Sequence, residues 1–158
     1  MSNNRLGVQH LSGTANFIAL GGGLGLAPKA PGTFGTLLGI PLLFLMPTNL
    51  VAYLVVLVVL FALGVWCCDA CAKNLGVHDH PGIVWDEVVG YLITMIAVPK
   101  TLLWVVVGFI LFRFFDILKP WPISWIDKHV EGGMGIMLDD VLAAVFALIV
   151  IQIALYFI

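Results

Sequence analysis

The stretch Leu50–Cys68, LVAYLVVLVVLFALGVWCC, decides the fold, because it runs from end to end without a charged side chain. At 1.5 Å per residue such a helix nearly crosses the ~30 Å hydrocarbon layer of a bilayer. A second uncharged run, Val141–Ile158, is of similar length. Shorter apolar runs at Phe34–Met46, Val88–Val98 and Thr101–Phe115 lie around these two. The chain therefore reads as all-α, an integral membrane bundle of about five short segments forming a single domain over residues 1–158. Composition agrees: 61% of the residues are hydrophobic and 10% charged, where a soluble domain carries about 25% charged residues.

Val88–Val98 is too short to cross unless its helix begins earlier and takes in Asp86 and Glu87, which is the expectation here. Pro47-Thr48-Asn49 and Pro99-Lys100 read as tight turns between helices. If successive segments alternate in direction, both turns lie at one membrane face. Arg5, Lys29, Lys73, Arg113, Lys119 and Lys128 then gather at the other, opposite Lys100 alone, and the positive-inside rule makes the crowded face cytoplasmic. Phe17–Leu26 is apolar but broken by Gly21, Gly22, Gly23 and Gly25, which suits a re-entrant or interfacial piece. Met1–Asn16 lacks the apolar core of a secretory signal, so it is expected to be retained.

Several function classes drop out. A net charge of −2, from seven cations and nine acids, includes no basic cluster that would track nucleic acid. Cys67, Cys68 and Cys71 have no second ligand pair elsewhere and read as small packing residues rather than a redox or zinc site. The positions six after these cysteines are Lys73, Asn74 and Val77, so a phosphocysteine route lacks its arginine.

What remains is a set of acids in three clusters at one face: Gly76–Gly90 (GVHDHPGIVWDEVVG), Phe112–Ile123 (FRFFDILKPWPI) and Gly132–Asp140 (GGMGIMLDD). Acids are costly in hydrocarbon, so they belong at helix mouths, but three converging clusters invite a metal. Asp86 and Glu87 open a helix, where they either favour its dipole or bind a cation. His78-Asp79-His80 offers metal ligands or a general acid, or is a polar turn before Pro81-Gly82. Arg113, Asp116 and Lys119 recur every third residue, along one helix face. They form internal ion pairs with snorkelling side chains, or else Lys119 and Arg113 meet a phosphate while Asp116 holds them or binds metal. Asp139-Asp140 stands directly before the last apolar run, after glycines able to bend around a ligand. One acid can cap that helix, and a second beside it is better explained by a hard divalent cation such as Mg²⁺ or Mn²⁺. Ala30–Thr36 (APGTFGT) leads into the first apolar helix with Thr33 as its expected N-cap, a ready anion site.

Together these four blocks resemble the phosphatidylglycerophosphatase A family of bacteria, in matching order from Ala30 to Asp140. The resemblance implies an all-helical inner-membrane enzyme that converts phosphatidylglycerophosphate to phosphatidylglycerol with Mg²⁺ as cofactor. It leaves roles to be assigned. The expected catalytic residues are Asp86, Asp139, Asp116 and His80; the expected phosphate ligands are Lys119, Arg113, Thr33 and Gly32. Asp86, Glu87, Asp139, Asp140 and Asp79 are the expected metal ligands. Membrane lipids are the expected surroundings. A divalent-cation transporter using the acids as an ion path is the competing reading, although no charge lies inside Leu50–Val65 or Val141–Ile158, where a transporter would place one.

Overall fold

In the computed structural model, which describes residues 6–157, each apolar run contributes a helix. The order is α1 (Thr14–Ala19), α2 (Pro31–Leu45), α3 (Leu50–Leu75), α4 (Trp85–Thr94), α5 (Leu102–Leu118), α6 (Ile123–His129) and α7 (Gly132–Tyr156), with short 3₁₀ turns at Val8–Leu11 and Gly21–Leu26. No strand occurs among the described residues. Arg5 and Ile158 lie outside them.

α7 is the axis. It packs against α3, α4, α5 and α6, and its small residues Ala143, Ala144 and Ala147 are fully buried, which lets those neighbours approach closely. Outward, the bundle is greasy: Val51, Val55 and Val58 on α3, Leu103 and Ile110 on α5, and Ile149 and Ile153 on α7 are all exposed. A continuous apolar surface of this kind is a membrane-facing surface rather than a watered one. Two helices, α3 with 26 residues and α7 with 25, are long and apolar enough to cross a membrane. The expectation of about five crossing segments is therefore supported for two of them by length.

Both long helices outrun their apolar runs. α3 is capped at its start by Asn49, whose side chain accepts the Ala52 N–H at 3.1 Å, and at its end by Gly76, which adopts φ 67, a left-handed conformation open to glycine. α7 starts at Gly132, not near Val141. Its first N–H groups are met by distant side chains: Gly132 N–H donates to His78 Nε2 at 2.7 Å and Gly133 N–H to Asp69 Oδ1 at 3.1 Å. Asp139 and Asp140 thus sit two turns inside the helix and cap nothing. Gly133 and Gly135 make room for close packing of the chain on itself. A Cβ on Gly133 would collide with the Val65 carbonyl oxygen, and one on Gly135 with that of Val130.

α4 begins at Trp85 and includes Asp86 and Glu87 in its first turn, as expected, but it ends after 10 residues, about 15 Å. A helix end buried among apolar neighbours needs partners for its carbonyls. Side chains supply them: Tyr53 donates to Leu92 O at 2.7 Å and Gln152 to Ile96 O at 3.0 Å. Lys100 donates to Met46 O at 2.9 Å, which ties the two tight turns together at one end, away from the acids. The Phe17–Leu26 region forms the end of α1, which packs against α3, and a 3₁₀ turn, which packs against α2. Ala19 and Leu20 share a buried cluster with Cys67, Cys68 and Cys71, so the cysteines pack.

Candidate active site

Asp86 lies on the face of α4 that also carries Gly90, one turn on. The absence of a side chain at Gly90 admits Phe112 of α5 and Asp140 of α7; a Cβ there would stand 2.6 Å from the Phe112 ring and 3.4 Å from Asp140 Cβ. That close approach carries Asp140 to the acids of α4. Asp86, Glu87 and Asp140 each offer a carboxylate oxygen within 4.8 Å of the others. Asp86 Oδ1, Glu87 Oε2 and Asp140 Oδ2 are all buried without a hydrogen-bond donor. Three carboxylates so placed repel one another, and hard oxygens lacking donors are what a divalent cation coordinates.

The third wall comes from α2. Gly32, Gly35 and Gly39 line its buried face. A Cβ at Gly32 would strike Glu87 Oε1, at Gly35 it would stand 2.7 Å from Val84, and at Gly39 2.9 Å from the Tyr91 ring. The glycines let α2 lie directly on α4, with the start of α2 against Glu87. Thr33 is not the N-cap. That position is Ala30, in the left-handed region, with Pro31 opening the helix, where its missing N–H costs nothing. Thr33 occupies the first turn, half-buried.

Cations sit at two places. Arg113, on α5, pairs through Nη1 with Asp116 and lies 3.6 Å from Glu87 Oε1; its Nε is buried without a partner. Lys119 leaves the helical stripe, because it is the left-handed C-cap of α5 at φ 43. Its ammonium reaches Asp139 Oδ2 at 2.6 Å and Asp127 Oδ1 at 2.7 Å. Burial alone would lower the Lys119 pKa, but the charge of Asp139 and the hydrogen bonds to Asp127 and Asp139 more than reverse this and hold it above its ordinary value. The expected Arg113-Asp116-Lys119 face thus divides into two ion-pair groups. Asp139 Oδ1, the oxygen not held by Lys119, is buried and unpartnered.

The sequence model of phosphatidylglycerophosphatase A matches residues 17–155. The chain belongs to the phosphatidylglycerophosphatase A family. It is 46% identical over 141 residues to the phosphatidylglycerophosphatase A of Escherichia coli (strain K12), covering 87% of this chain and 81% of that one. Against the phosphatidylglycerophosphatase A of Haemophilus influenzae (strain Rd) it is 45% identical over 154 residues, 94% and 93% of the two chains. A putative phosphatidylinositol-3-phosphatase of Bacteroides thetaiotaomicron is 42% identical over 146 residues, 87% and 91% of the two chains. No solved structure matches. Membership in the phosphatidylglycerophosphatase A family makes the protein a phosphatase.

Of the residues singled out from this family's blocks, Asp86, Glu87 and Asp140 come together, with Gly32 and Arg113 against Glu87. Asp139, Lys119 and Asp116 border them. Asp79 is exposed on its loop, close enough for the charges of Lys119, Asp127 and Asp116 to act on it. His80 is buried, accepts the Gly82 N–H at Nδ1 at 3.0 Å, and lines a cavity of about 230 Å³ with Pro31 and Gly82, to one side of the carboxylates. Asp127, which completes the Lys119 pair from α6, stood out in no motif; only its spacing of eight from Lys119 could have suggested contact.

Proposed function

We propose that the protein hydrolyses the terminal phosphomonoester of phosphatidylglycerophosphate, giving phosphatidylglycerol and inorganic phosphate, with Mg²⁺ as its cofactor and with its site at the cytoplasmic face of the inner membrane. The observation that carries this reading is the buried trio Asp86, Glu87 and Asp140, with oxygens that have no donor, in a chain of this phosphatase family. The relatives from Escherichia coli and Haemophilus influenzae bear the corresponding name. Those three carboxylates would hold the ion, whose chemistry is to withdraw charge from phosphate oxygens and to acidify water.

The rest of the reaction falls to the chain. The Arg113 guanidinium and the Lys119 ammonium neutralise the phosphate dianion, Arg113 with an unused Nε–H and Lys119 by exchanging one carboxylate for a phosphate oxygen. The first turn of α2, around Gly32 and Thr33, adds backbone N–H groups for the same anion. Asp139 Oδ1 accepts the proton of the attacking water as oxygen bonds to phosphorus and the bond from phosphorus to the glycerol oxygen breaks, and that proton then passes to the departing glycerol oxygen, which leaves as the alcohol. Asp116 holds Arg113 in place.

Lys29, Lys73, Lys119 and Lys128 flank the acid-bearing helix ends, whereas Lys100 caps the opposite turns, and this asymmetry supports the cytoplasmic orientation. The decisive assay measures phosphate released from phosphatidylglycerophosphate in detergent, with EDTA and after Mg²⁺ is restored. Release that EDTA abolishes and Mg²⁺ restores is expected; undiminished release in EDTA would remove the metal from the reading. A parallel assay on phosphatidylinositol 3-phosphate tests the headgroup named for the Bacteroides relative, and faster turnover there would overturn the substrate assignment.

A further inference from the structure

α6 is too short to cross a membrane and lies between two helices that reach the membrane-facing surface. Its sides differ. Inward, Ile123 is fully buried and Asp127 grips Lys119 at 2.7 Å. Outward, Trp121 just before the helix is 79% exposed and Trp125 within it 53% exposed. Lys128 and His129 are exposed on the next turn, and the Trp125 ring stacks on His129 with centroids 4.7 Å apart and an interplanar angle of 15°. Indoles beside a lysine, in a segment whose other side is pinned, are costly to leave in water and match the boundary between headgroups and acyl chains. The apolar surface does not stop at the end of α5. Phe114, Ile117 and Leu118 are exposed at the end of α5, and only the partly exposed Lys119 and Pro120 separate them in the chain from Trp121, so the exposed apolar residues of α5 lead directly to α6.

We propose that the outer face of Lys119–His129 is a membrane-docking surface that rests in the interfacial layer of the same bilayer the bundle occupies. Trp121 and Trp125 sink to the glycerol level, and Lys128 meets anionic lipid phosphates. Because the same segment holds Lys119 through Asp127, docking fixes where Lys119 stands relative to Asp139. The membrane thereby positions a phosphate-binding cation for a substrate that is itself an anionic lipid. This inference rests on the membrane placement and lipid substrate proposed above.

The test uses the full chain reconstituted in vesicles of phosphatidylcholine with phosphatidylglycerol, made with lipids brominated either near the headgroup or near the chain end. The quenching of wild type minus that of Trp121→Phe/Trp125→Phe isolates the two indoles. Stronger quenching by the shallow label is expected. A difference signal that neither label quenches, while Trp66, Trp85 and Trp104 are still quenched in the variant, overturns the proposal alone; loss of quenching for all five overturns the membrane placement instead. In activity, Trp121→Ala/Trp125→Ala is expected to raise the KM for long-chain substrate in vesicles several-fold and to leave hydrolysis of a monomeric short-chain analogue unchanged. Restoration by Trp121→Tyr/Trp125→Tyr is also expected. An equal loss on both substrates means a folding role and overturns the docking surface.

Discussion

The two acid pairs look alike in the sequence and behave differently in the structure. Asp86-Glu87 lies in the first turn of a 10-residue helix, and both carboxylates turn inward toward one cluster. Asp139-Asp140 lies two turns into a 25-residue helix; the 100° step between neighbours is the same in both helices, so the elements packed around each pair decide whether its carboxylates meet or part. Asp140 joins the α4 acids and Asp139 takes Lys119. In the proposed mechanism one pair is therefore shared between two tasks, holding a cation and handling a proton beside a phosphate-binding lysine. The contrast shows that adjacency of acids says little about a common ligand until the elements packed against them are known.

The largest expected effect separates the members of the second pair. Asp140→Asn and Asp139→Asn should each reduce phosphate release by on the order of 10² or more. Excess Mg²⁺ should partly restore the first, a ligand variant, and leave the second unchanged. Equal rescue of both would place Asp139 on the metal as well, and erase the distinction.

Stability should separate them with opposite signs. In EDTA, Asp140→Asn relieves repulsion within the trio and should resist denaturant better than wild type. Asp139→Asn strips Lys119 of its most buried partner and should lose about 1–3 kcal/mol. Chemical unfolding in detergent measures both, and a loss for Asp140→Asn would show that the three carboxylates do not repel in the metal-free protein.

A smaller effect tests the α2 wall. Gly32→Ala should push Glu87 aside and raise the Mg²⁺ concentration for half-maximal activity about 10-fold. Gly39→Ala, which meets Tyr91 instead, should cost about 1–3 kcal/mol of stability at unchanged Mg²⁺ demand. The same metal response in both would reduce the glycine face to packing alone.

The smallest effect is one of pH. The Lys119 pKa is raised on folding, so its contribution is complete below the unfolded value and fades as pH climbs through the folded one. The stability gap between wild type and Lys119→Met should accordingly stay flat from about pH 8 to 9 and shrink with further rise in pH only above about 10.4. A gap that narrows already as pH climbs from about 8 to 9 would mean the Asp127 and Asp139 partners are not holding the ammonium.

Much of this was legible in the residues. Uncharged runs from Leu50 and Val141 gave the two long helices, since hydrocarbon tolerates only backbone that satisfies its own hydrogen bonds. Asp86 and Glu87 could be placed in a first helical turn because α4 would otherwise be shorter still. The cysteines could be set aside as packing because they lacked partners. The sequence alone therefore determined helix content, the segregation of charge to one end, and the family, all of which depend on composition, local periodicity and residue order. Only the tertiary structure decided which carboxylates meet, that α7 begins at Gly132, that Lys119 turns away from Arg113 toward Asp127, and that Gly32 makes room for Glu87. Each of those outcomes depends on distances between helices far apart in the chain, and close packing, rather than any local preference of the backbone, sets such distances.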